Sequence, residues 1–164
     1  MLEWAGLMLL TTHVMVGASL GLLVAPDRPL LAFGVGFLSH ILIDIIPHGD
    51  ADLYENYLNG KQVRRAMAYV GTDAACAVIL TLILLNSPLH EAVRGAVSWG
   101  IAGGVVPDVL VGAREKLKIQ ALDGFHRFHF FFHNLMSKRY GDVPMWLGIG
   151  GQAAVIAGMM QWFR

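Results

Sequence analysis

Ser39-His40-Ile41-Leu42-Ile43-Asp44-Ile45-Ile46-Pro47-His48-Gly49-Asp50 carries two imidazoles and two carboxylates in an otherwise apolar run. About 20 apolar residues are needed to cross a bilayer, and an ionisable group inside such a span is costly unless it is paired, hydrated or coordinated. His40 and Asp44 stand four residues apart, on one face of a helix, and His48 lies one further turn along, just past Pro47. Two imidazoles and a carboxylate in this array suit Zn²⁺ or another first-row divalent ion. Asp44 then serves as a direct ligand or as the acceptor that orients a histidine. The competing reading is a hydrogen-bonded polar patch or a proton relay.

The rest of the chain fits a membrane setting. Of 164 residues, 55% are hydrophobic and 15% charged, and the mean hydropathy is +0.56, too apolar for an ordinary soluble domain. The expected fold is all-α: a single membrane-embedded helical domain over residues 1–164, with about five membrane-embedded helices. The first apolar span covers residues 3–24, begins without a basic stretch or a cleavage site, and reads as a retained helix. Ala25-Pro26-Asp27-Arg28-Pro29 turns the chain into a second span, Leu30 to Ile46, followed by a polar loop to Lys61. Gln62 to Asn86 and about Leu89 to Ala113 give the third and fourth spans, with Pro107 expected to interrupt the fourth. Residues 121–140, with three histidines and five phenylalanines, read as an interfacial helix. Val143 to Phe163 is the last span, with Trp146 and Trp162 as interfacial anchors.

Lys61, Arg64, Arg65, Arg114, Lys116, Lys118, Lys138 and Arg139 all fall on one side of this topology, which positive-inside logic makes cytoplasmic, together with the N-terminus. At about 1.5 Å per residue, His13, His40, Asp73 and Asp108 then lie between mid-membrane and that interface, level with His126, His129 and His133. Separate spans deliver their costly groups to one depth. The chain is formally neutral, so no basic field invites nucleic acid. Its single cysteine, Cys76, excludes an intrachain disulfide and a thiolate zinc knuckle, and reads as a buried apolar thiol.

Several other positions carry candidate ligands. His126, His129 and His133 fall within an arc of about 60° on one helix face, as metal ligands or as histidines at rest in the headgroup layer. Asp108 follows Pro107, where it is a cation ligand at a helix break or a cap at a kink. Asp73 has no local basic partner, and a metal shared with His13 would neutralise it. His13 lines up with Gly17 and Gly21, and Gly100 repeats with Gly104, spacings that let membrane helices approach closely. His90, on the opposite side, is excluded from the site.

Thr12-His13-Val14-Met15-Val16-Gly17, the run from Ser39 to Asp50, and Gly104-Val105-Val106-Pro107-Asp108 resemble motifs of small bacterial integral-membrane proteins of the YdjM-like metal-dependent hydrolase family. The first two are also similar to motifs of zinc-dependent phospholipase C. The resemblance is specific over residues 11–52, and implies metal ligation by His13, His40, Asp44 and His48, with Asp108 a further metal or catalytic acid. It also implies a bacterial inner-membrane location. The chain departs from the family at Pro107-Asp108-Val109-Leu110, which lacks a second acid, and at His126-Arg127-Phe128-His129.

No zincin, serine-hydrolase or phosphate-loop motif is present. The expected function is hydrolysis of an ester or phosphoester of a lipid-like substrate, with one to three divalent ions, Zn²⁺ by preference, activating water. Asp44 or Asp108 would move the proton and Arg127 would hold an anionic headgroup, while the aromatic helix presents the acyl region. The rivals are a divalent-metal or proton-coupled transporter and a non-catalytic metal-stapled subunit. A homo-oligomer stays open, since a seven-span ceramidase-type architecture needs more spans than one chain supplies.

Overall fold

In the computed structural model, which describes residues 10–24, 26–89 and 91–163, the described residues form seven α-helices. These are α1 (Leu10–Leu23), α2 (Pro29–Ile43), α3 (Ala51–Leu58), α4 (Val63–Leu85), α5 (Glu91–Leu117), α6 (Asp123–Tyr140) and α7 (Met145–Met160). Short 3₁₀ turns precede α6 and follow α7. Residues 3–9 of the expected first span, and His90, lie outside the described residues.

The helix boundaries follow ordinary stop and start chemistry. Pro29 opens α2 in the first turn, where its missing N–H would have had no partner. In α6, Asp123 lies in the first turn and Lys138 and Arg139 in the last, each charge opposing the helix dipole, and Gly141 closes the helix at φ +83°. α4 and α5 are long and apolar enough to cross a membrane, whereas α2 and α7 are apolar but shorter, at 15 and 16 residues.

The packing centre is α1, α2 and α5, drawn together by glycines. A Cβ on Gly21 would lie 2.6 Å from the carbonyl oxygen of Ala96, and one on Gly104 would lie 2.5 Å from that of His13. Gly17 and Gly36 face Gly100 at similarly close range, so backbone meets backbone along this seam. Around it, Val14, Met15, Ala18, Leu80, Leu84 and Val97 form the apolar core. α4 contributes one narrow stripe, Ala66, Asp73, Ala77, Leu80 and Leu84. Its opposite face leaves Val78, Ile79, Leu82 and Ile83 each more than half exposed.

Three sequence expectations change. Pro107 does not interrupt its helix: α5 runs unbroken to Leu117, because proline removes a single donor and the ring itself is buried in the packed seam. The polar loop from Pro47 to Lys61 contains the two-turn helix α3. Cys76 is exposed, since it falls off the inward stripe of α4.

Candidate metal centre

The glycine seam decides where the polar side chains meet. Close approach of α1, α2 and α5 brings His13, His40, Asp44 and Asp108 into one buried cluster, and α6 adds His129. Nε2 of His40 lies 3.1 Å from Asp44 Oδ2 and 3.4 Å from Asp108 Oδ1, and Nε2 of His129 lies 3.4 Å from Asp44 Oδ2. A tetrahedral zinc site with bonds of about 2.0–2.1 Å has ligand–ligand edges of about 3.3 Å. Three of the six separations match such edges, and all four ligand atoms lie within 4.8 Å of one another. His40, Asp44, Asp108 and His129 therefore form a group that could hold a metal ion.

The hydrogen bonding inside this cluster is incomplete. Both carboxylate oxygens of Asp44, and Nε2 of His13 and of His40, are buried and make no hydrogen bond of acceptable geometry despite their proximity. Buried polar atoms are rarely left so. A cation shared by these atoms would satisfy them. Nδ1 of His40 meets the carbonyl oxygen of Gly104 at 2.7 Å. A carbonyl only accepts, so Nδ1 carries the proton and Nε2 presents its lone pair to the cluster, the usual way of orienting a metal-binding histidine. That carbonyl lies one turn before Asp108, so the Gly104–Asp108 turn of α5 supplies both a candidate ligand and the anchor of another.

His13 takes a different position. Its Nε2 sits 3.0 Å from the other oxygen of Asp44, Oδ1, and its ring stacks on His40 with centroids 3.9 Å apart. Asp44 thus faces His40 and His129 through one oxygen and His13 through the other.

A second group lies alongside. His48, Asp50 and His133 bring one ligand atom each to a common region, with His48 Nε2 3.1 Å from Asp50 Oδ1. Nδ1 of His48 donates to the carbonyl of Ile46 at 2.8 Å, so when the ring is neutral its proton stays on Nδ1, as in His40. Burial disfavours the charged form of His48, but the Asp50 carboxylate outweighs it and lifts the pKa to about 9. His133 faces His48 edge-on at 5.0 Å and stacks one turn from His129 at 6.0 Å between ring centroids, so the two groups adjoin along α6.

Asp50 occupies the N-cap of α3, where an aspartate ordinarily accepts a hydrogen bond from the first turn. It makes no capping bond, and its Oδ2 is unpartnered. Asp142 does that work from across the structure, accepting from Gly49 N at 2.9 Å and from Ala51 N at 3.0 Å. Gly49 between them has φ +88°, a left-handed conformation with no room for a side chain beside Met145. The His48-Gly49-Asp50 turn is therefore held from outside while both of its polar side chains lie beside His133.

The remaining sequence candidates fall elsewhere. Asp73 accepts from the Thr11 hydroxyl at 2.6 Å and lies outside both groups. His126 contacts Glu115 at 3.3 Å. Arg127 is exposed, off the helix face that buries His129 and His133. Asp50 and Asp142 were not among the expected site residues. Asp50 ends the His/Asp run but falls where the sequence reads as a polar loop, and nothing local marks Asp142. No family model, curated protein or solved structure matches this chain.

Proposed function

We propose that the chain is a membrane-embedded, metal-dependent hydrolase acting on an ester or phosphoester of a lipid-like substrate. The observation that carries this reading is the pair of adjoining buried His/Asp groups, with tautomers fixed at His40 and His48 and with carboxylate oxygens lacking other partners. Two long apolar helices and the apolar outer faces of α4 and α7 support a bilayer setting. In it, α1, α2, α4, α5 and α7 are embedded and α6 lies near the interface, with the basic loops on the cytoplasmic side of a bacterial inner membrane.

His40, Asp44, Asp108 and His129 would hold one divalent ion and His48, Asp50 and His133 a second, with Zn²⁺ the best match to imidazole and carboxylate donors. A bound ion of this kind lowers the pKa of water towards about 7 and polarises a carbonyl or phosphoryl oxygen. The protein's own groups divide the remaining work. Asp44, sealed at 1% exposure, positions His13, His40 and His129. Asp108, at 24%, is the carboxylate with access to exchange a proton during the reaction.

The test is acid or alcohol release from defined ester and phosphoester lipids in mixed micelles, with chelated and zinc-reloaded protein. Zinc-dependent hydrolysis lost in Asp108→Asn is the expected result. Metal flux into vesicles with no hydrolysis of any lipid tested would overturn the reading in favour of a transporter.

A further inference from the structure

Between α1, the turn after α2, and α7 lies a cavity of about 310 Å³, at the lower end of the range of about 300–1,000 Å³ usual for small-ligand sites. Ile43, Ile46, Leu147 and Val155 give it apolar walls, and the last three are exposed, so the cavity opens sideways through an apolar rim. At its inner end stand His13, which contacts Asp44, and His48 of the second group. The cleft thus touches both His/Asp groups.

Two further lining residues are out of place in an apolar wall. Gln152 is the one amide in α7, whose other fifteen residues are apolar or glycine. Its Nε2 is buried without a hydrogen-bond partner, and so is the hydroxyl oxygen of Thr12 across the cavity. Unsatisfied donors in an apolar setting are costly to keep. A ligand that brings acceptor oxygens on an apolar body would satisfy both. Val143 also borders a second cavity, of about 590 Å³, lined by Gln62, Arg65 and Asp142. An amphiphile would therefore find an apolar channel on one side of Val143 and polar surroundings on the other.

We propose that the cleft between α1, the α2–α3 turn and α7 binds one acyl chain of an ester-linked amphiphile, with Gln152 Nε2 and the Thr12 hydroxyl donating to the ester oxygens beside His13 and His48. This places the acyl chain on the opposite side of the site from the aromatic face of α6. The fate of the ester rests on the hydrolase reading, whereas occupation of the cleft does not.

The experiment is photolabelling of the full chain, in nanodiscs of ether-linked phosphatidylcholine, with a diazirine-bearing stearic acid, and mapping of adducts by mass spectrometry. Labelling should concentrate on Ile43, Ile46, Leu147 and Val155. It should disappear in Gly151→Phe: Gly151 lines the cleft and a Cβ there meets nothing within 4 Å, so the ring enters the cleft without striking backbone. In Gln152→Leu, which preserves shape, a monoacylglycerol should compete about fivefold less well, the worth of one net hydrogen bond, while octadecane competes as before. Adducts spread evenly over the exposed face of α4 and indifferent to Gly151→Phe would overturn the cleft. Unchanged competition by the monoacylglycerol in Gln152→Leu would overturn the ester contact. Metal content of the same samples separates the two claims, since cleft labelling on a chain that binds no metal would refute the hydrolase reading and leave the acyl site standing.

Discussion

Gly104→Ala tests whether the glycine seam builds the metal centre. The new Cβ would lie 2.5 Å from the carbonyl oxygen of His13 and 3.2 Å from its carbon. Ordinary contact begins at 3.4 Å, so α1 must retreat by about 1 Å or α5 must tilt away, and overpacking of this kind costs about 1–3 kcal/mol. The displacement falls on the ligands. His13 moves with α1 away from Asp44 Oδ1, and the Gly104 carbonyl that fixes the His40 tautomer moves with α5. Disturbing such an orienting contact typically weakens metal binding about 10–100-fold. The control is Gly112→Ala on the same helix, where a Cβ meets nothing within 4 Å; there the gain in helix propensity, up to about 1 kcal/mol, should leave stability equal or improved. The assay is zinc competition against a chromophoric chelator, with thermal unfolding in the same detergent. Equal zinc affinity and equal unfolding temperature in the two variants would refute the reasoning that α1–α5 contact sets the site.

Three further outcomes follow from the same geometry. Asp50→Asn keeps size but removes the charge opposite His48, so zinc stoichiometry should fall by one equivalent while the His40 group stays loaded, as read by elemental analysis. Asp142→Ala strips the acceptor from Gly49 N and Ala51 N without touching a ligand; it should cost about 1.5–3 kcal/mol of stability, the worth of hydrogen bonds to a charged group, and weaken only the second ion, which a two-site zinc titration would resolve. Because the His48 pKa stands at about 9 without an ion, and a metal binds only the unprotonated ring, zinc affinity of the second group should rise with pH up to that value. A pH-independent affinity between 6 and about 9 would contradict the assignment of His48.

The sequence shows the helices and most of the candidate ligands for a simple reason: apolar residues at helical length are local information, and an ionisable group inside such a run stands out against them. His40, Asp44, His129 and His133 could be picked in this way. Which of them meet is not local. The histidines of α6 share one face, as the spacing implies, yet His129 joins the His40 group, His133 joins His48 and Asp50, and His126 turns to Glu115. That partition depends on where α5 and the Asp44–Asp50 turn sit against α6. At Pro107 the local penalty of proline is visible in sequence and the packing that absorbs it is not. Asp50 reads as part of a polar loop, because the helix α3 that follows it and the Asp142 contact that holds its turn, more than 90 residues along the chain, are not local information.

The most direct measurement is zinc content per chain, by inductively coupled plasma mass spectrometry, for detergent-purified wild type beside His40→Ala and His126→Ala. Two adjoining groups predict two tightly bound ions in wild type, one lost in His40→Ala and none lost in His126→Ala. Wild-type protein with no stoichiometric metal after exposure to zinc would contradict the metal centre and leave these buried acids and imidazoles as a proton relay.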